Sequence, residues 1–186
     1  MARKKSGLEE SAFQPPFFTP SIGSNAYKIP DEYEMKLLDM YTKLTETDPD
    51  IKDYEIPNIL ENEFNIPKEI IPIDKSFLKS WNIIGTNIVD FEKWLYNGYF
   101  WLLLSNHIED IDMLWQDIWA ALDKYKDEKK ENLRNSKLFL VDVKKLIEIG
   151  KLDASAIGML QTAGNGKVYI NYIDFFILLG RLGLFK

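Results

Sequence analysis

Carboxylates dominate the chemistry this chain could perform. Its 186 residues include one histidine, His107, and no cysteine. Thiolate nucleophiles, disulfides and Cys-type zinc sites are therefore excluded, as is a His-rich metal centre. Three runs have the length of a calcium loop. Calcium takes six to eight oxygens, from side chains at positions 1, 3, 5 and 9, a carbonyl at 7 and a bidentate acid at 12, with Gly at 6. In Leu44–Glu55, Glu46, Asp48 and Glu55 fill positions 3, 5 and 12, but Leu44 stands at 1 and Pro49 at 6. In Ala163–Asp174, Asn165 and Asp174 are donors, whereas Lys167 puts a cation at 5 and Val168 stands at 6. In Asn82–Lys93, Ile84 stands at 3 and Lys93 replaces the bidentate acid. The expectation is a chain without a metal or other cofactor. No nucleophile–base set can be assembled around one His, so an enzyme is not expected. Glu109, Asp110 and Asp112 read as acids favoured at a helix start, and His107 as a cap or hinge. Gly164-Asn165-Gly166 lacks the Lys-Ser or Lys-Thr of a phosphate loop.

The elements that would carry these runs read as helices. Met35, Leu38, Tyr41 and Leu44 recur at helical spacing. Shorter helices are expected from about Glu55 to Phe64 and over Ser76–Ile83. A longer one follows from about Asp90 to Asn106, and Ile111, Leu114, Trp115, Ile118, Trp119 and Leu122 share a face of the next. Residues 123–137 read as a charged, solvated insertion. Val143, Leu146 and Ile147 mark a further helix, Asp153–Gln161 another, and Ile173 to about Leu182 the last.

An internal repeat organises this pattern. Gly85–Trp94 (GTNIVDFEKW) and Gly166–Phe175 (GKVYINYIDF) share a Gly turn, an apolar residue, an aromatic and an aromatic at helix entry. That order is the exit half of an EF-hand. Val89, Phe91, Lys93 and Trp94, like Ile170, Tyr172, Asp174 and Phe175, take positions 8, 10, 12 and 13. Ile51 and Leu138 take position 8 of two weaker loops, and Asp142 takes 12. Position 8 of one loop normally faces position 8 of its neighbour in a small antiparallel ribbon, which explains an apolar residue there without any metal. The fold expected is all-α and EF-hand-like, centrin- or calmodulin-like, with lobes at 31–106 and 107–186. The Pro- and Gly-rich stretch 1–30, with Phe13–Phe18 (FQPPFF), reads as a tail.

The C-terminal run Tyr172-Ile173-Asp174-Phe175, followed by Leu179-Gly180-Arg181-Leu182-Gly183, resembles the end of the fungal centrin-like nucleotide-excision-repair factors. Ile111–Trp115, Asp142–Leu146 and Glu55-Ile56-Pro57 resemble further segments of that family, so the likeness covers about 31–186. It implies a metal-free, EF-hand-like subunit that binds a C-terminal helix of the damage-recognition protein, the yeast homologue of the xeroderma pigmentosum group C protein. It also implies a nuclear setting, with the cytoplasm as a second location. The partner helix would lie in an apolar groove. For that groove the helical faces point to Trp115, Ile118, Trp119, Val143, Leu146, Phe175, Leu179 and Leu182, with lobe core as the competing reading for most of them. A light-chain-like subunit clamping a motor or scaffold helix, and a residual calcium sensor, are the alternatives.

Composition agrees with a folded protein-binding chain. Hydrophobic residues make up 46% and aromatic residues 13%, enough for a core. The net charge of -6 makes direct binding to phosphate backbones unexpected. The apolar run Trp94–Ser105 is too short to span a bilayer and reads as a buried helix. Arg3-Lys4-Lys5 is too short to count as a nuclear signal.

Overall fold

The computed structural model describes residues 29–124, 129–153, 157–158 and 168–185. The expected tail, the Gly164–Gly166 turn and most of the Asp153–Gln161 helix lie outside these residues. The described part is mainly helical: α1 (Asp31–Leu44), α2 (Ile56–Asn62), α3 (Lys75–Lys79), α4 (Phe91–Ala121), α5 (Lys130–Arg134), α6 (Leu140–Glu148) and α7 (Tyr172–Arg181). Short 3₁₀ turns lie at Asp53–Glu55 and Lys68–Ile70. The two-residue strands β1 (Leu138–Phe139) and β2 (Tyr169–Ile170) pair antiparallel.

α4 is the axis of the molecule. Asp90 caps it, its side chain accepting from the Lys93 N–H at 3.1 Å. Between Tyr99 and Ala121 there is neither Gly nor Pro, and the helix runs for 31 residues without a break. The sequence-based end at Asn106 is therefore corrected. His107 is neither cap nor hinge, and Glu109, Asp110 and Asp112 lie in mid-helix rather than at a helix N-terminus. Its apolar stretch from Tyr99 to Leu104 is buried in the protein core, and no helix among the described residues is long and apolar enough to cross a membrane.

α1 packs along the first half of α4. Leu37 is wholly buried there, and its Cδ2 lies 2.6 Å from where a Cβ on Gly98 would be. Only glycine allows that approach. The Trp94 indole N–H donates to the Leu37 carbonyl at 3.0 Å, fixing the register of the two helices. The stripe turned inward is Tyr33, Leu37, Met40, Tyr41 and Leu44. The expected stripe was rotated from this, since Met35 and Leu38 are exposed. α3 is shorter than expected because the chain turns at Ser80 and Trp81.

Residues 129–137, expected as a solvated insertion, are exposed at Lys129, Asn132, Asn135 and Lys137 but anchored at Leu133 and Arg134. Leu133 of α5 is buried, and its carbonyl accepts from the Trp115 indole N–H at 2.8 Å. Arg134, 12% exposed at its side chain, supplies the segment's second inward contact.

Candidate functional site

Two ribbons organise the loops, one in each half of the chain. In the C-terminal half Leu138 faces Ile170, and Phe139 faces Tyr169. In the N-terminal half a single bridge joins Lys52 and Ile88, with the Val89 N–H donating to the Ile51 carbonyl at 2.9 Å and the Asp53 N–H to the Asn87 carbonyl at 2.9 Å. That register puts Ile51 across from Val89. Ile51, Val89, Leu138 and Ile170, the four residues that the sequence places at position 8, are all buried. The pairing is apolar.

The helices leaving the loops begin alike. Each position-12 acid turns back onto the backbone three residues earlier: the Lys52 N–H donates to Glu55 Oε2 at 2.7 Å, the Phe139 N–H to Asp142 Oδ2 at 3.1 Å, and the Asn171 N–H to Asp174 Oδ2 at 3.1 Å. These are capping contacts at helix starts. In the remaining loop the roles are exchanged: Asp90 is the cap and Lys93 stands at position 12.

Lysine ammonium groups meet the loop oxygens. Lys93 Nζ donates to the Asn82 carbonyl at 2.7 Å, and so ties the last loop residue to the first. Lys124 Nζ donates to Asp142 Oδ1 at 2.6 Å, and Lys52 Nζ to Asp50 Oδ2 at 3.1 Å. The side chain of Asn82, buried under its loop, donates to Asp53 Oδ2 at 2.7 Å and to the Thr86 carbonyl at 3.1 Å. Calcium would have to displace tethered cations. No group of three or more His, Cys, Asp or Glu among the described residues is placed to hold a metal. A cleft of about 280 Å³ beside the first loop is lined partly by acids. Of these, Asp50 is paired with Lys52, Glu63 with Lys43, and Glu55 caps its helix.

A buried polar cluster that sequence reasoning missed joins the two halves. Asp112 of α4 accepts from Arg134 Nε at 2.9 Å and from Arg134 Nη2 at 2.6 Å. The Tyr172 hydroxyl donates to Asp112 Oδ1 at 2.8 Å. Arg134 also reaches Glu69, 3.5 Å away in the first half. Burial, then the charge of Asp112 and its hydrogen bond, pushes the Tyr172 phenol well above its ordinary range. Its hydrogen bond with Asp112 holds the guanidinium of Arg134 more firmly protonated still. An arginine in a charged run, 22 or more residues from its partners, gave no local signal of this.

The expected groove residues come together, mostly as core. Trp115, Trp119, Val143, Leu146, Phe175 and Leu179 are buried, Ile118 is half-buried, and Leu182 is 53% exposed. Trp115 packs on Phe175 with ring centroids 5.0 Å apart and edge-on to Trp119 at 5.6 Å. In this state Ile118 and Leu182 supply the accessible edge. His107, on the same helix, faces Phe185 at 4.7 Å and lies 3.8 Å from Asp110.

No protein-family profile matches this chain, and no solved structure matches it. Among curated proteins it is similar to the DNA repair protein RAD33 of Saccharomyces cerevisiae, with 27% identity over 164 residues that cover 86% of this chain and 89% of that protein. A similarity that extends over most of both chains supports a role in DNA repair.

Proposed function

We propose that this protein is a non-catalytic, calcium-independent adaptor of nucleotide-excision repair, with an EF-hand-like fold of two lobes, 31–106 and 107–186. Its role is to bind and support an apolar helix of the damage-recognition protein, the xeroderma pigmentosum group C homologue, in the nucleus. The observation that carries this reading is the pairing of Ile51 with Val89 and of Leu138 with Ile170, with lysines bound to the loop oxygens. Apolar contact across the ribbons and lysines on the loop oxygens favour a fold that does not depend on calcium. Similarity to a DNA repair protein supports a role in DNA repair, and the net charge of -6 favours a protein partner over DNA.

The groove would be the C-terminal face built from Trp115, Ile118, Trp119, Val143, Leu146, Phe175, Leu179 and Leu182. Because most of these are buried, binding requires α7 to shift from α4, with Ile118 and Leu182 as the first contacts. In calcium sensors the ion drives that opening; here the partner helix supplies the free energy.

Isothermal titration with a synthetic peptide of the partner's C-terminal helix tests the reading, first with calcium and then with chelator. The expected result is equal affinity in both, weakened about tenfold by Leu182→Asp. Leu182 is exposed, so this change spares the core. Binding lost on chelation would overturn calcium independence. Absence of binding would overturn the partner assignment.

A further inference from the structure

The segment after α7 folds back on the helix pair it leaves. Gly183 has φ +77°, in the left-handed region where glycine is favoured. Its N–H donates to the Gly180 carbonyl at 2.9 Å, and the Leu184 N–H donates to the Leu179 carbonyl at 3.2 Å. These two bonds form a Schellman turn. The chain therefore reverses by construction. Phe185 arrives half-buried, its ring 5.0 Å from Phe176 of α7 and 4.7 Å from His107 of α4. Leu182 and Leu184, either side of the turn, remain more than half exposed.

The structure thus has a seat for one phenyl ring, walled by two helices, beside two exposed leucines. We propose that this seat is the anchor pocket for an aromatic side chain of the partner helix, and that Phe185 occupies it in the free chain as an internal competitor. The inference rests on the adaptor reading above. Phe185 itself shows which chemistry the seat accepts: a flat apolar ring in contact with the Phe176 ring and the His107 imidazole. The tether is short and its turn preset, so the plug is at high effective concentration and opposes weak or incorrect helices. A correct partner must displace it. The cost of displacement lowers apparent affinity by the fraction of time the seat is free.

Two variants of the full chain test this. Phe185→Ala removes the plug; Gly183→Val keeps the ring but destroys the turn that delivers it. Each is assayed without partner by the fluorescence of anilinonaphthalene sulfonate, which reads exposed apolar surface, and then by titration with the partner-helix peptide. The expected result is about threefold higher dye emission in both variants and about tenfold tighter peptide binding, as for a seat free about one-tenth of the time. Unchanged dye emission in both variants would overturn the seat. Raised emission with unchanged peptide affinity would overturn the competition. Raised emission with no peptide binding by any form, the parent included, would instead overturn the adaptor reading, because the dye reports the seat without the peptide.

Discussion

The two ribbons solve one problem with different materials. In the first half, Ile51 and Val89 meet beside the Lys52–Ile88 bridge, and Lys93 closes its loop on the Asn82 carbonyl. In the second, Leu138 and Ile170 meet within a regular pair of strands, and a helix docked from the charged segment holds Asp112 and Tyr172 through Arg134. The outer faces also differ. Lys52 faces Ile88 in the first ribbon; in the second Phe139 packs at a tilt against Tyr169 with centroids 5.8 Å apart, and Lys137 lies over the Tyr169 ring. One half is tied by a half-buried ammonium and a carbonyl, the other by a buried ion pair. A buried pair is far more sensitive to loss of one member, because the charge left behind has no solvent.

The largest expected effect follows from that contrast. Arg134→Ala leaves Asp112 buried with only the Tyr172 hydroxyl, and should lower stability by about 3–5 kcal/mol, read from the urea midpoint. A loss below 1 kcal/mol would mean that water reaches Asp112 and that the two halves are held alike. In the first half, Lys93→Met should cost only about 1 kcal/mol, because the ammonium it removes is partly solvated. Lys93→Glu sharpens the point: it restores an acid at position 12, yet calcium should not raise its melting temperature, since Asn82 and Ile84 stay at positions 1 and 3. A calcium-dependent rise would show the loop to be one residue from a working site. The smallest effect is on pH dependence. The folded state holds the Tyr172 phenol above its unfolded value of 10.0. That stability is complete below this value and fades as pH rises beyond it. Tyr172→Phe should flatten the loss of stability above about pH 10 relative to the parent chain, and an unchanged slope would assign the loss to other groups.

Much of the ribbon scheme could be read from residue types alone, because position 8 must be apolar and β-branched or long wherever two loops pair. Ile51, Val89, Leu138 and Ile170 carry that signal without help from distant residues. Helix orientation was less legible. Met35, Leu38, Tyr41 and Leu44 have helical spacing, yet Leu37 is the residue driven into Gly98, and only the partner helix decides this. The docking of residues 129–137 was illegible for a related reason. Leu133 and Arg134 are unremarkable in a charged run until Trp115 and Asp112 are brought to them. The candidate groove residues were identifiable as apolar and inward-facing, but a sequence cannot distinguish an inward face that is core from one that opens. The groove's expected anchors are largely core here, and its accessible edge is narrower than their number suggested.

The unbroken α4 has a consequence for how the protein comes apart. It contributes Trp94 and Gly98 to the packing of α1, and Asp112 and Trp115 to the packing of α5 and α7. Between them, Phe100 touches Phe176 at 5.2 Å, so the middle of the helix is covered as well. Neither half can lose its structure without stripping a face of the same rod. The chain is thereby built to melt in one cooperative step, with the amides around Phe100 to Leu104 the last to exchange with solvent.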